Sequence, residues 1–302
     1  MTSAPVASSH PVRRIGIVAK RGIHEAAPTL DHLVGWLSAR GVEPIFETET
    51  AELSSEGHRV KTLSRDDLPA AVDLVLVLGG DGTLLGMADR IAAADARTPI
   101  LGVNFGSLGF LTEVTLPELQ ESLEAVLAGR VLLEDRLMLR SHVTRHDQRL
   151  ADLLVLNEVA VTRGAESRMV DLAVSVDDEF VACFKADGLI VATPTGSTAY
   201  NLSAGGPIVH ASMAAMILTP IAPHTLTNRP VVIPGSAEVR IQPLFDDNGT
   251  EVHAMFDGTN TFQLAPDDVV TVRRAEAPLR LVRPGRRSYF GVLRQKLKWA
   301  ER

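Results

Sequence analysis

Asp81 is the one charged residue in a turn of small residues, Gly79-Gly80-Asp81-Gly82. Glycine permits a positive φ and lets a bulky ligand come close to the backbone. Main-chain N–H groups at such a turn, and at the start of a helix behind it, can hold phosphate oxygens. A carboxylate facing phosphates is repelled unless a cation or a proton-transfer role offsets the repulsion. The turn therefore suits phosphoryl chemistry, with Asp81 as the candidate for moving a proton. A strand, a glycine turn and a helix in succession is also ordinary α/β punctuation, so the turn needs company before it signifies chemistry.

That company comes from Ala186–Val209, ADGLIVATPTGSTAYNLSAGGPIV. Its hydroxyls, amides and turn N–H groups suit a ligand with several hydroxyls and ring nitrogens, and Tyr200 could stack on a base. Clusters of Ser, Thr, Gly and Pro are more often plain loops. Asn157-Glu158 sets an amide beside a carboxylate inside an apolar run, Leu153–Val161. If buried, both need partners; a ribose diol would serve, and so would an internal hydrogen-bonded pair. Lys185 alternates with apolar neighbours just before Asp187-Gly188.

The elements that must position these residues fall into two textures. Leu74–Leu78 is a run of large apolar residues and reads as a strand buried on both faces; a helical pattern then runs from Thr83 to about Ala94. Arg14–Ala19, Pro44–Glu47 and Pro99–Asn104 read as further strands. Leu30–Leu37, stopped by Gly41, and Leu116–Leu127, capped by Gly129, read as helices. Ala51–Ala70 reads as a polar surface excursion or short helix. Alternating strands and helices predict a parallel sheet covered on both faces, with ligands at the carboxyl ends of the strands, where Gly79–Gly82 and the turn at Asn104–Gly109 lie. From about Asp135 the pattern changes to many short strands, with Asp177-Asp178-Glu179 as a hairpin tip, predicting a β-rich, sandwich-like second domain. The expected domains are 1–134 with 276–302 packing back, and 135–275.

With 302 residues and a net charge of −7, the chain is long enough for two domains and offers no overall case for nucleic-acid binding. The stretch from Arg273 holds ten of the thirty Lys/Arg residues. An amphipathic terminal helix with Phe290, Leu293 and Leu297 on one face accounts for it without an anionic partner. No apolar run approaches the ~20 residues that span a bilayer. Met1–Arg14 lacks the apolar centre of a signal peptide and reads as a loose tail. The single Cys183 excludes an intrachain disulfide and a cysteine metal cluster, and fits a reducing cytoplasm.

Gly79-Gly80-Asp81-Gly82-Thr83, Asn157-Glu158, and Asp187-Gly188 through Pro194-Thr195-Gly196-Ser197-Thr198-Ala199-Tyr200 resemble the three motifs of NAD kinases, in the same order. Pro220–Pro230 and Phe256-Asp257-Gly258 resemble further blocks of that family, and the likeness runs from Arg14 to Trp299. The resemblance implies phosphoryl transfer from ATP, or from polyphosphate, to the 2′-hydroxyl of the adenosine ribose of NAD. It also implies a divalent cation such as magnesium and a homodimer or homotetramer. By the same resemblance Asp81 is the general base, and Gly79, Gly80 and Gly82 admit the triphosphate. Asn157 and Glu158 hold the nicotinamide-side ribose, and Asp187 contacts NAD. Thr198, Ala199, Tyr200, Asn201, Leu202 and Ser203 line the dinucleotide pocket, while Arg168 and Lys185 offset pyrophosphate charge. Thr259 stands where some relatives carry a longer amide that reaches the ligand.

Other readings of the glycine turn fit less well. A Walker loop needs a Gly-Lys-Ser/Thr end, which does not follow Gly82. A dinucleotide fingerprint, as in an NAD-dependent oxidoreductase, has Leu85 where its third glycine belongs, and Gly102-Val103-Asn104 where its acidic residue belongs. A diacylglycerol-kinase-like protein shares the glycine motif without the Asn-Glu pair or the Thr-Gly-Ser-Thr-Ala-Tyr block. A non-catalytic dinucleotide sensor has no use for Asp81 among phosphates.

Overall fold

The computed structural model describes residues 11–106, 108–245, 250–285 and 287–299. Most of the expected loose tail, Ser107 in the turn after Asn104, and residues 300–302 lie outside them. The chain divides into two compact units, one running to Asp135 and resuming at Leu279, the other spanning Arg136–Pro278.

The first unit is an α/β layer structure. Its strands lie in the order Lys61–Leu63, Glu43–Glu47, Arg14–Ala19, Leu74–Leu78, Ile100–Asn104, Leu279–Arg283 and Leu132–Arg136, with Val114–Thr115 also paired to Ile100–Asn104. The pairs of Arg14–Ala19 with both neighbours, and of Leu74–Leu78 with Ile100–Asn104, are parallel. Leu74–Leu78 is buried at all five positions, as a strand covered on both faces must be. The chain lays strands to one side of Arg14–Ala19 and then to the other, so the order reverses between Arg14–Ala19 and Leu74–Leu78. Crevices at such a reversal are where open α/β sheets bind ligands. On one face, helix Ala27–Ser38 packs Leu30, Leu33 and Leu37 against Ile15, Ile17, Leu74 and Leu76. On the other, helix Asp81–Ala93 approaches so closely that a Cβ on Gly102 would meet Leu84 at 2.7 Å.

The second unit pairs two six-stranded sheets. One contains Glu158–Arg163, Gly188–Ala192, Ala215–Ile221 and Val252–Phe256; the other contains Leu139–Arg145, Val170–Val176, Val239–Leu244 and Asp268–Arg274. The pairings within them are antiparallel. Alternate residues from both, among them Val159, Val191, Phe256, Leu172, Ile241 and Val270, form a single buried core. Inward apolar positions alternating with outward polar ones are what fix the register of such sheets.

Several elements differ from expectation. The excursion 51–70 contains an edge strand, Lys61–Leu63, too short and polar to read in the sequence and defined by its parallel partner. The apolar run Leu153–Val161 belongs to two strands, Gln148–Val155 and Glu158–Arg163, broken at Leu156-Asn157. The terminal helix Tyr289–Leu297 buries Val292 and Leu293, whereas Phe290 is 59% exposed. The apolar face is therefore rotated from the expected one. Finally, Gly79, Gly80 and Gly82 are absent from the positive-φ residues, so the turn uses glycine for space and not for left-handed backbone.

Candidate active site

Asp81 opens helix Asp81–Ala93, with Gly80 as an extended N-cap. Its carboxylate is held on one side by the segment after Ile100–Asn104. The N–H of Phe110 donates to Oδ2 at 2.8 Å. The N–H groups of Leu111 and Thr112 donate to Oδ1 at 3.1 and 3.0 Å, and the Thr112 hydroxyl adds a fourth bond at 2.9 Å. A carboxylate offers about four lone-pair sites. Three donors crowd Oδ1 and one reaches Oδ2, so the remaining capacity lies on Oδ2.

Gly109 makes this possible. A Cβ there would fall on Asp81 Oδ1 and the Thr112 hydroxyl. Gly79 is likewise needed for close approach, since its Cβ would meet the Thr83 hydroxyl at 2.7 Å and Lys20 Cβ at 3.2 Å. Gly80 and Gly82 face open space, leaving room for a ligand against the backbone.

The second unit gathers three separate stretches of sequence. Asp257, in a left-handed turn with Gly258, accepts from the N–H groups of Leu156 at 2.7 Å, Asn157 at 2.8 Å and Glu158 at 3.0 Å. The Thr193 hydroxyl donates to the Leu156 carbonyl at 2.6 Å, and the Thr193 N–H to the Asn157 carbonyl at 2.8 Å. Gly196 packs against Asn157 so tightly that a side chain would strike its carbonyl. The Asn-Glu step is thus clamped between the 193–196 turn and Asp257.

Glu158 is 7% exposed, and its Oε2 has no hydrogen-bond partner among the described residues. Burial, with the Asp257 carboxylate nearby, pushes Glu158 up to about 8, against a smaller opposing pull from the Tyr200 N–H. At neutral pH it is a protonated acid. Thr195 Oγ1 is a second buried polar atom without a partner among the described residues. Orphaned buried polar atoms are uncommon in native proteins, and two so near one clamp mark a place where a polar ligand would be satisfied.

The remaining candidates separate clearly. Thr198 and Ala199 are half-buried; Tyr200 is 37% exposed, its ring free to stack. Leu202 is half-buried and Ser203 exposed, in the short helix Tyr200–Ser203. Asn201 belongs to the scaffold by its side chain. It is fully buried, donates to the carbonyls of Ser197 and Pro207, and accepts from the Thr219 hydroxyl. Asp187 is held by Arg163, Nε to Oδ1 at 2.5 Å. Lys185 lies 3.7 Å from Asp171 on an outward sheet face, and Arg168 is exposed. Thr259 is exposed in its turn, its hydroxyl donating to the Phe256 carbonyl at 3.3 Å. Among the described residues no group of three or more His, Cys, Asp or Glu side chains gathers to hold a metal ion.

Sequence reasoning passed over the Phe110–Thr112 N–H groups, Arg163 and the part played by Asp257, and named Gly109 and Thr195 only as members of their turns. The backbone donors have no signal in the sequence. Gly109 and Asp257 do: a glycine in an apolar stretch after a strand, and an Asp-Gly hairpin turn.

Residues 15–131 match the model of the ATP-NAD kinase N-terminal domain, and residues 156–284 that of the ATP-NAD kinase C-terminal domain. The chain is 45% identical over 291 residues to the NAD kinase of Syntrophotalea carbinolica, covering 96% of this chain and 100% of that one. It is 42% identical over 301 residues to the NAD kinase of Ralstonia nicotianae, covering 100% and 97%. Among solved structures, yeast NADH kinase complexed with NADH superimposes with a TM-score of 0.88 at 25% identity, covering 97% of this chain and 89% of that one. An NAD kinase from Archaeoglobus fulgidus in complex with ATP gives a TM-score of 0.73, also at 25% identity, covering 93% and 99%.

Proposed function

This chain belongs to the NAD kinase family and is a phosphotransferase with an alcohol acceptor, and we propose that it moves the γ-phosphoryl group of ATP to the 2′-hydroxyl of the adenosine ribose of NAD with Asp81 as general base. The observation that carries this reading is the one-sided restraint of Asp81. Four donors fix the carboxylate while Oδ2 keeps acceptor capacity, beside glycines whose Cβ positions are open. A sugar hydroxyl is a poor nucleophile at neutral pH, and a positioned base removes that obstacle. In the step, the hydroxyl oxygen bonds to the γ-phosphorus as its proton passes to Asp81, and the bond to the bridging oxygen breaks to release ADP.

A magnesium ion enters this reading as part of the substrate. Such ions retain waters and bind largely through substrate phosphates, so Asp81 alone need not build a cage for one. Glu158, with Asn157, Asp187, Thr195, Thr198, Ala199, Tyr200, Leu202 and Ser203, would make up the NAD pocket of the second unit. As a protonated acid Glu158 can donate to a ribose oxygen, while the half-buried amide of Asn157 offers both donor and acceptor. Lys185 and Arg168 remain candidates for pyrophosphate charge. The reading also includes a cytoplasmic homodimer or homotetramer, supported by the family resemblance and the lone Cys183.

Incubation with ATP, magnesium and NAD, followed by assay for NADP, tests it. NADP must accumulate in proportion to ADP. ADP release without NADP would overturn the assignment of the acceptor. Parallel incubations with polyphosphate as donor and NADH as acceptor define the range of each.

A further inference from the structure

The carboxyl ends of the central strands carry several charged groups, and most are already committed. Arg21 is paired with Glu49. Arg65 lies 3.6 Å from Glu47 and 3.8 Å from Glu49. Glu47 also accepts from the N–H and hydroxyl of Thr50. Lys20 differs: it is exposed and has no acidic partner among the described residues.

Its place is defined by register. Val18 pairs with Val77 and Ala19 with Leu78, and the Lys20 N–H donates to the Leu78 carbonyl at 2.8 Å. Side chains alternate across a strand, so Lys20 leaves the sheet on the face of Val18 and Val77. That face carries helix Asp81–Ala93, because Gly102, the partner of Val77, lies under Leu84 of that helix. A Cβ on Gly79 would sit 3.2 Å from Lys20 Cβ. The lysine stem therefore rises beside the first turn of the helix, next to the glycines with open space, at the point where the strand order reverses.

Resting on the kinase reading above, we propose that Lys20 is the protein's cation for the phosphates of the donor: its ammonium meets the polyphosphate chain that lies along Gly79–Gly82. Backbone N–H groups alone satisfy phosphate oxygens without neutralising them, and Asp81 adds a negative charge to the same turn. A flexible, unpaired ammonium supplies the missing charge as a point contact that can follow the phosphoryl group. No acid has to be released first, unlike Arg21.

The test is steady-state kinetics of Lys20→Ala, Lys20→Arg and, as a control on a distant exposed lysine, Lys61→Ala. Loss of a charged hydrogen bond predicts a fall of about 10- to 100-fold in kcat/KM for ATP in Lys20→Ala. KM for NAD should stay within about twofold, Lys20→Arg should recover part of the loss, and Lys61→Ala should match the wild type. Thermal unfolding of Lys20→Ala should match the wild type, since the side chain is exposed and unpaired. Unchanged kcat/KM for ATP, or a loss confined to NAD, overturns the proposal while leaving the kinase reading standing. A wild type that makes no NADP overturns both.

Discussion

Each unit contains an aspartate whose carboxylate receives three consecutive backbone N–H groups, and the two serve opposite ends. At Asp81 the donors are residues 110–112, and the backbone positions the carboxylate proposed as the base. At Asp257 the donors are residues 156–158, and the polar side chains of Asn157 and Glu158 follow from them; here the carboxylate positions the backbone. The surroundings match the difference. Asp81 sits among glycines with open space, whereas Asp257 stands in a tight left-handed turn and its charge helps keep Glu158 protonated. The same hydrogen-bond pattern holds a carboxylate still in one unit and fixes the backbone of the Asn-Glu step in the other.

The comparison is broken most directly by removing the base. Asp81→Asn should lower kcat by about 10²- to 10⁴-fold with KM for NAD little changed; near-wild-type turnover would make Asp81 a loop staple. Gly109→Ala leaves the carboxylate intact but drives a methyl group into its seat. A displacement of about 1 Å predicts roughly a 10²-fold loss of kcat, and unaltered kinetics would show that the seat is irrelevant to the chemistry. Asp257→Asn replaces one of the two accepting oxygens by an NH2 that then faces at least one of the three N–H groups, and should weaken NAD binding by ~1–3 kcal/mol with a smaller effect on kcat. If it instead reproduces the Asp81→Asn pattern, the two carboxylates are not opposites.

A separate effect, on stability, comes from Glu158. Unfolded, Glu158 titrates at its ordinary 4.5; folded, at about 8. Between those values the unfolded state has lost a proton that the folded state retains, so stability falls with rising pH by ~1.4 kcal/mol per unit. Glu158→Gln should abolish that slope in urea unfolding measured at pH 5 and 8, and should harm NAD binding less than Glu158→Ala. An unchanged slope would show that Glu158 is ionised in the folded protein.

Much of the first unit was legible because its central strands are covered on both faces and so appear as unbroken apolar runs ended by Gly or Pro. Lys61–Leu63 and Asn260–Leu264 were not, because polar, mostly outward-facing strands owe their existence to a neighbour. Two of the motif blocks, Asn157-Glu158 and the one running from Asp187-Gly188 to Tyr200, lie in the second unit, where Thr193 and Asp257 both bond to the Asn-Glu step. Their internal division of labour did not follow from residue type: Asn201 looks like a ligand contact in a list of polar residues, yet its amide is spent on Ser197, Pro207 and Thr219. Three of the four donors that hold Asp81 are main chain, which every sequence possesses equally; the fourth is the Thr112 hydroxyl.

Gly82 and Gly86 lie within helix Asp81–Ala93, and a methyl group on either would touch nothing. Alanine at such helical positions is typically favoured by roughly 0.5–1 kcal/mol. The protein is thus less stable than a near-identical sequence could make it, at two helical glycines that face open space. If Gly82 admits the phosphates as proposed, natural variation toward alanine there would trade catalytic access for heat resistance, a direction in which a lineage at higher temperature is pushed and an active enzyme resists.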